Sequence, residues 1–355
     1  MARIKTLIKD VSEGMKLAED VLTREGQLLV GKDTTVNSRI ITKLKFYSIP
    51  FVYIDPKQVG ETKEPSYYKK IEASHEFKRF SHTLQTGIQA LESTLNKAIL
   101  YNEEVDTREL LTSVDKIVED AGNGMHLMTM LQCIRSYDDL TYVHSLNVSL
   151  ICNVMADWIN MSEEDKRLLT VAGLLHDVGK TVIPNEVLLK TTKLTENEYQ
   201  LLQSHVVKGY ELVKDRDLDP RIKMAVLQHH ERCDGKGYPF GLSNENISDF
   251  AKIISIADVY DAMTSNRVYR QGICPFDVIE AFEKEGYQKY DPKFLLPFLA
   301  RISQCYIHTN VLLSNGQEGE VIMLNNNQLS RPVVKVGNEY INLAENTGLS
   351  IKALL

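Results

Sequence analysis

The spacing of apolar positions changes character three times along the chain. Residues 1–60 mix short apolar runs with one helical stripe. GQLLVG (26–31) and PFVYID (50–55) carry strand-type residues, while Val36, Ile40, Ile41 and Leu44 recur at helical spacing between them. This predicts a small α/β unit. The polar, proline-containing stretch DPKQVGETKEPS that follows reads as a linker. Next, Phe77, Phe80, Leu84, Ile88, Leu91 and Leu95 fall three and four apart, one apolar stripe along a helix. Residues 61–130 are therefore expected to form a helical linker. Its stripe, within 70–100, either packs on its own domain or meets a second copy in a homodimer.

Helical periodicity is densest over 131–304. Ser162 and Thr195 each stand three residues before an acid, Asp165 and Glu198, which is the signature of a capped helix start. From 305 onward, NVLLSNGQEGEVIML and RPVVKVGNEYINL are apolar runs broken at Asn315-Gly316 and Gly337-Asn338, both hairpin signals. The expected fold class is mainly α: an all-α domain at 131–304, the small α/β unit before it, and a small β unit at 305–355.

Composition narrows the function classes. With 43% hydrophobic and 25% charged residues in 355, the chain has the make-up of a soluble globular protein. A formal net charge of −7 disfavours non-specific binding to DNA or RNA, so any phosphate-bearing ligand must be met by a local group of cations. No apolar run reaches the roughly 18 residues of a membrane span, and MARIKTLIKDVSEG has no signal-peptide pattern. Cys133, Cys152, Cys233, Cys274 and Cys305 are scattered without a CxxC pair, which predicts reduced thiols and a cytoplasmic location.

The candidate chemistry lies in the histidines. Five of nine fall in the central block: His144, His176, His205, His229 and His230. His176-Asp177 follows the apolar VAGLL and His229-His230 follows MAVLQ, where a charged side chain is costly to bury without a partner. Adjacent helix residues project about 100° apart, so one helix can aim two ligands at neighbouring ions or wrap one ion from two sides. Alone, His144 reads as a core histidine and the HD doublet as a helix-end salt bridge. Together they predict a metal site. Imidazole with carboxylate suits Fe²⁺ or Mn²⁺, with zinc also compatible.

Five blocks in order carry a resemblance: DDLTYVHSLNV, LLHDVGKTVIPNEVLLK, SHVVKGYELV, VLQHHERCDGKGYP and IISIADVYDAMTSNRVYR. Over about 138–300 the chain resembles the HD-GYP subgroup of the HD phosphohydrolases. The resemblance implies an all-α catalytic domain that hydrolyses cyclic di-GMP at a centre of two or three metals. The ligands would be His144, His176, Asp177, His205, His229, His230 and Asp258. Asp177 would bridge two ions, with His144, His176 and Asp258 completing one shell and His205, His229 and His230 the other. Some members add a third metal through a carboxylate four residues before the first histidine. Leu140 stands there, with Asp138 and Asp139 at other offsets, so two divalent transition-metal ions, iron or manganese, are expected. Val206 replaces the proline often found after the third histidine, which alters a helix start and removes no ligand.

A hydroxide held between two ions would be the nucleophile. Lys180, one turn after Asp177, lies on its side of a helix, and Asp177 and Lys180 are the expected catalytic residues. Arg267 and Arg270, three apart in NRVYR, would grip phosphate with Lys180, as the resemblance also implies. Asp261, one turn after Asp258, either orients a ligand or makes a helix salt bridge. In CDGKGYP, Gly237, Tyr238 and Pro239 are expected substrate contacts, with Tyr238 stacking on guanine or plugging the loop; the resemblance also links this loop to signalling protein partners. The expected activity is a cyclic di-GMP phosphodiesterase giving pGpG or onward GMP. The alternatives are a cyclic di-GMP receptor with little turnover and a hydrolase of another cyclic dinucleotide.

Overall fold

A computed structural model describes residues 3–8, 11–12, 14–23, 28–47, 49–55, 67–134, 141–190, 192–266 and 272–355. The chain divides into two compact units, 1–66 and 67–355.

The first unit runs β1 (Ile4–Leu7), β2 (Val21–Leu22), β3 (Leu28–Val30), α1 (Ser38–Phe46) and β4 (Phe51–Ile54). Two antiparallel pairs, β1 with β4 and β2 with β3, enclose a core of Leu17, Val36, Leu44, Val52 and Ile54. Asn37 starts α1 by accepting a 3.0 Å hydrogen bond from the Ile40 amide. The predicted strands are β3 and β4. Their partners β1 and β2 escaped the pattern because they are short and leave Ile4, Leu7 and Leu22 exposed.

The second unit opens with α2 (Tyr67–Ala73), α3 (His75–Tyr101), α4 (Thr107–Ala121) and α5 (Gly124–Ile134). Ser74 caps α3 through the Phe77 amide at 3.0 Å. The whole apolar stripe from Phe77 to Leu95 is buried in the same core as the helices that follow, packed against α4 and α5. The face considered for a second copy is therefore covered by the chain's own helices, and the segment read as a linker is part of the second unit's body.

The helical body continues with α6 (Thr141–Trp158), α7 (Glu163–Leu175), a 3₁₀ turn (Val178–Val182), α8 (Asn185–Leu188), α9 (Glu196–Gln203), α10 (His205–Val213), α11 (Pro220–Gln228), α12 (Asp249–Thr264), α13 (Pro275–Ala281), α14 (Tyr287–Lys289) and α15 (Pro292–Gln304). At Thr195 the capping box is complete: its hydroxyl accepts from the Glu198 amide at 3.3 Å, and the Glu198 carboxylate accepts from its amide at 2.8 Å. Ser162 caps α7 through the Asp165 amide at 3.1 Å.

The chain ends in β5 (Asn310–Leu313), β6 (Glu318–Asn325), β7 (Gln328–Val336), β8 (Glu339–Asn342) and β9 (Ile351–Leu354). They form one antiparallel sheet in the order β8-β7-β6-β5-β9. The two predicted turns join β5 to β6 and β7 to β8, with Gly316 and Gly337 at positive φ. Val311, Val321, Val334 and Ile351 share the core of Phe298 and Ile302 on α15, so the sheet is packed onto the helical body. Among the described residues no helix is long and apolar enough to cross a membrane.

Candidate metal centre

Five helices converge, four of them through their ends. α6 presents His144 from its first turn. α7 stops at Leu175, with His176 as its cap and Asp177 just beyond. His205 opens α10, and α11 ends so that His229 caps it and His230 follows. Only α12 contributes from its interior, through Asp258. Close approach is built into the sequence at Gly179: a Cβ there would lie 1.9 Å from the His205 carbonyl oxygen and 2.5 Å from the Gly209 nitrogen. A glycine lets the 3₁₀ turn rest on α10, which sets Asp177 beside His205.

Asp177 lies at the middle. Its Oδ1 is 3.3 Å from His205 Nε2 and 3.7 Å from His229 Nε2. Its Oδ2 is 3.3 Å from His176 Nε2 and 3.7 Å from His144 Nε2. Two donor groups abut here, Asp177 with His205, His229 and His230, and His144 with His176 and Asp258. Within each, the ligand atoms lie within 4.8 Å of one another. All seven sequence-predicted ligand residues thus meet in one place.

Tautomers follow from the surrounding carbonyls, which can only accept. Nδ1 donates to the Gly173 oxygen from His176 at 2.8 Å, to the Leu202 oxygen from His205 at 2.7 Å, and to the Val226 oxygen from His229 at 3.0 Å. A neutral ring then carries its lone pair on Nε2, aimed at Asp177. Lone pairs and carboxylate oxygens face one another with no proton between, as at His205 Nε2 and His229 Nε2, 3.5 Å apart. His176 Nε2 and Asp177 Oδ1 are buried and have no hydrogen-bond partner among the described residues. Buried acceptors left in this state are expensive unless a cation lies between them. The residues present therefore fit divalent metal.

Charge points the same way. Asp177, Asp258 and Asp261 against Lys180 leave a formal −2 when the imidazoles are neutral. Burial works against ionising Asp177, but the Lys180 ammonium opposes it, and its carboxyl is held well below the usual range. Burial lowers His229 to about 4 and, with His229 beside it, holds His230 well below an ordinary imidazole. His144 goes the other way. Burial opposes its charge, yet hydrogen bonds to Asp258 at 3.0 Å and Asp261 at 2.8 Å raise it to about 10 in the metal-free protein.

Lys180 Nζ donates to Asp177 Oδ2 at 2.5 Å, and its side chain is 22% exposed. Asp261 accepts from His144 on Oδ2 and from Asn147 Nδ2 on Oδ1 at 3.3 Å. Arg267 and Arg270 lie outside the described residues, as do Asp138, Asp139 and Leu140. Val206 is fully buried in the first turn of α10.

The loop after His230 folds back on the centre. The Tyr238 ring stacks on His230 at 4.7 Å, and its amide donates to the His230 carbonyl at 3.2 Å. Gly237 makes that approach possible, since a Cβ would meet the Arg232 nitrogen at 2.4 Å and the His230 oxygen at 2.6 Å. Sequence reasoning missed Glu231, which is 3% exposed. Its carboxylate clamps the loop by accepting from the Phe240 amide at 2.7 Å and the Leu242 amide at 2.9 Å. The one available signal was an acid directly between a histidine pair and a glycine-rich loop.

Residues 128–294 match the family model described as HD domain. This stretch of the chain is an HD domain. The chain is 32% identical over 237 residues to a cyclic di-GMP phosphodiesterase of Pseudomonas aeruginosa, covering 66% of this chain and 56% of that one. It is 36% identical over 196 residues to a cyclic di-GMP phosphodiesterase response regulator of Xanthomonas campestris, covering 54% and 50%. A 3'3'-cGAMP-specific phosphodiesterase of Vibrio cholerae is 33% identical over 158 residues, covering 44% of this chain and 37% of the relative. The chain thus spans about half the length, or less, of these curated relatives.

Proposed function

We propose that this chain hydrolyses the phosphodiester bonds of cyclic di-GMP to pGpG or onward to GMP, with two divalent transition-metal ions bound at the histidine–aspartate centre. The observation that carries the proposal is the division of Asp177, one oxygen turned to His205 and His229 and the other to His176 and His144. That arrangement supports a shared carboxylate between two cation positions. His144, His176 and Asp258 would serve one, and His205, His229 and His230 the other. Iron or manganese suits this mixed nitrogen and oxygen donor set. Bound there, the ions would activate water and offset phosphate charge.

The chain's own groups have separate tasks. Asp177 holds the two positions in register, and Lys180, ion-paired to it and partly exposed, meets a phosphate oxygen of the substrate. Arg267 and Arg270 add phosphate contacts, a role supported by their place in the sequence alone. Asp261 fixes the His144 ring through Nδ1. The loop at Gly237, Tyr238 and Pro239 borders the nucleotide, and Phe240, 62% exposed, gives it an apolar tip for a signalling partner. The free state of the five cysteines supports action in a reducing compartment such as the cytoplasm.

The names of the similar proteins support cyclic di-GMP, and the cGAMP-specific relatives favour one second reading, a mixed cyclic dinucleotide. Anaerobic purification, elemental analysis and parallel assays with both nucleotides test the proposal. About two ions per chain with pGpG released is the expected result. Asp177→Ala is expected to lose both ions and all hydrolysis while its circular dichroism stays helical. Two ions retained in that variant would refute the shared carboxylate. Tight nucleotide binding without product in the wild type would replace the enzyme by a receptor.

A further inference from the structure

Four of the five histidines at the centre have Nδ1 held by a hydrogen bond: His176, His205 and His229 by backbone carbonyls, His144 by Asp261. Among the described residues His230 makes no side-chain hydrogen bond; its nearest carboxylate oxygen, on Asp258, is 3.8 Å away. It is also the least enclosed, its side chain 24% exposed against 7% or less for the others. What confines its ring is stacking. His229 lies on it at 4.2 Å and 44°, and Tyr238 at 4.7 Å and 28°. Tyr238 also stands edge-on to His205 at 6.4 Å and 78°.

Tyr238 is itself fixed. Its amide is bonded to the His230 carbonyl, Gly237 removes the side chain that would push it away, and buried Glu231 ties the far side of the loop at Phe240 and Leu242. From this geometry we infer that Tyr238 is a positioning residue for the metal centre. Its ring orients His230 by stacking, in place of the hydrogen bond that orients the other four histidines. It thereby sets how tightly the His205–His229–His230 position holds its divalent ion. The inference rests on the metal-centre reading above. It gives the tyrosine a role distinct from stacking on a nucleobase, because the face that lies on His230 is not available to one. The ring carries the effect, so the hydroxyl is dispensable.

Groups that orient metal-bound histidines typically change affinity by about 10–100-fold when removed. The test is a Mn²⁺ titration of the metal-free full-length chain in competition with a fluorescent chelator. Wild type, Tyr238→Leu and Tyr238→Phe are compared, and Michaelis parameters on cyclic di-GMP are measured alongside. In Tyr238→Leu the affinity of one ion is expected to fall about 10–100-fold while the other ion binds as in wild type, which also checks the fold. Tyr238→Phe is expected to bind both ions as wild type does. The inference is overturned if Tyr238→Leu keeps both affinities and only KM rises, which would make Tyr238 a nucleotide contact and leave the metal centre standing. It is equally overturned if Tyr238→Phe loses the ion as Tyr238→Leu does. Fewer than two ions in the wild type would remove the metal centre itself, and the inference with it.

Discussion

Gly179→Ala tests the geometry that brings Asp177 to His205. The added Cβ would sit 1.9 Å from the His205 oxygen, 2.5 Å from the Gly209 nitrogen and 2.9 Å from the Gly209 Cα. All three are backbone atoms, so no side chain can swing away. The 3₁₀ turn and α10 must part by roughly 1 Å before even a tight non-bonded contact is reached. Overpacking of this kind costs about 1–3 kcal/mol, which lowers Tm by a few degrees for a unit of this size. The larger effect is local. Asp177 Oδ1 and His205 Nε2 now face each other at 3.3 Å, and a further 1 Å or so of separation takes one of them out of reach of a shared ion. Misplacement on that scale reduces rate about 100-fold. The assay is elemental analysis, thermal melting and initial rate on cyclic di-GMP. Gly348→Ala is the control, since its Cβ would meet only Asn346 Oδ1, at 3.8 Å. A Gly179→Ala protein with wild-type metal content and rate would refute the reasoning.

Glu231→Gln leaves one of the Phe240 and Leu242 amides facing an NH₂ group instead of a carboxylate, a loss of about 1.5–3 kcal/mol for a charge-assisted bond. Hydrogen exchange at those two amides is expected to speed up, and unchanged protection would count against the clamp. Asp261→Asn is expected to weaken the ion at the His144 position about 10–100-fold and spare the other, read by metal titration. Equal weakening of both would mean that Asp261 does not act through His144. In the metal-free protein His144 is raised to about 10 by Asp258 and Asp261 against burial. Its stabilising contribution is therefore complete below the unfolded histidine value of about 6.5 and is lost as pH rises toward 10. Tm of the metal-free wild type is expected to fall over that window more than Tm of His144→Gln. Parallel curves would show that the imidazolium is not formed.

Much of this was legible in the sequence because it depends on local pattern or on rare residue types. The stripe from Phe77 to Leu95 announces a helix wherever its partner lies, and Asn315-Gly316 and Gly337-Asn338 announce turns by backbone chemistry alone. Five histidines with Asp177 and Asp258 were conspicuous because buried charge needs a partner. Pairing was not legible. Nothing in the sequence spacing says that the stripe is covered by α4 and α5, or that the terminal sheet shares a core with α15. Glu231 was passed over because a surface acid and a buried one look alike until Phe240 and Leu242 fold back on it.

The doublets themselves follow from how a helix ends. The last turn of any helix leaves carbonyls without partners. At the end of α7 the Gly173 oxygen accepts from His176, and at the end of α11 the Val226 oxygen accepts from His229. The same pattern recurs where α9 meets α10, with Leu202 and His205. One hydrogen bond thus does two things: it satisfies a helix terminus and it turns Nε2 toward Asp177. Helix termination and ligand orientation are coupled, so these histidines need no separate device to aim them. The residue after each capping histidine has left the helix and takes a different direction. After His176 it is Asp177, held by Lys180. After His229 it is His230, whose side chain makes no hydrogen bond among the described residues, and there the chain supplies an aromatic ring from a clamped loop instead.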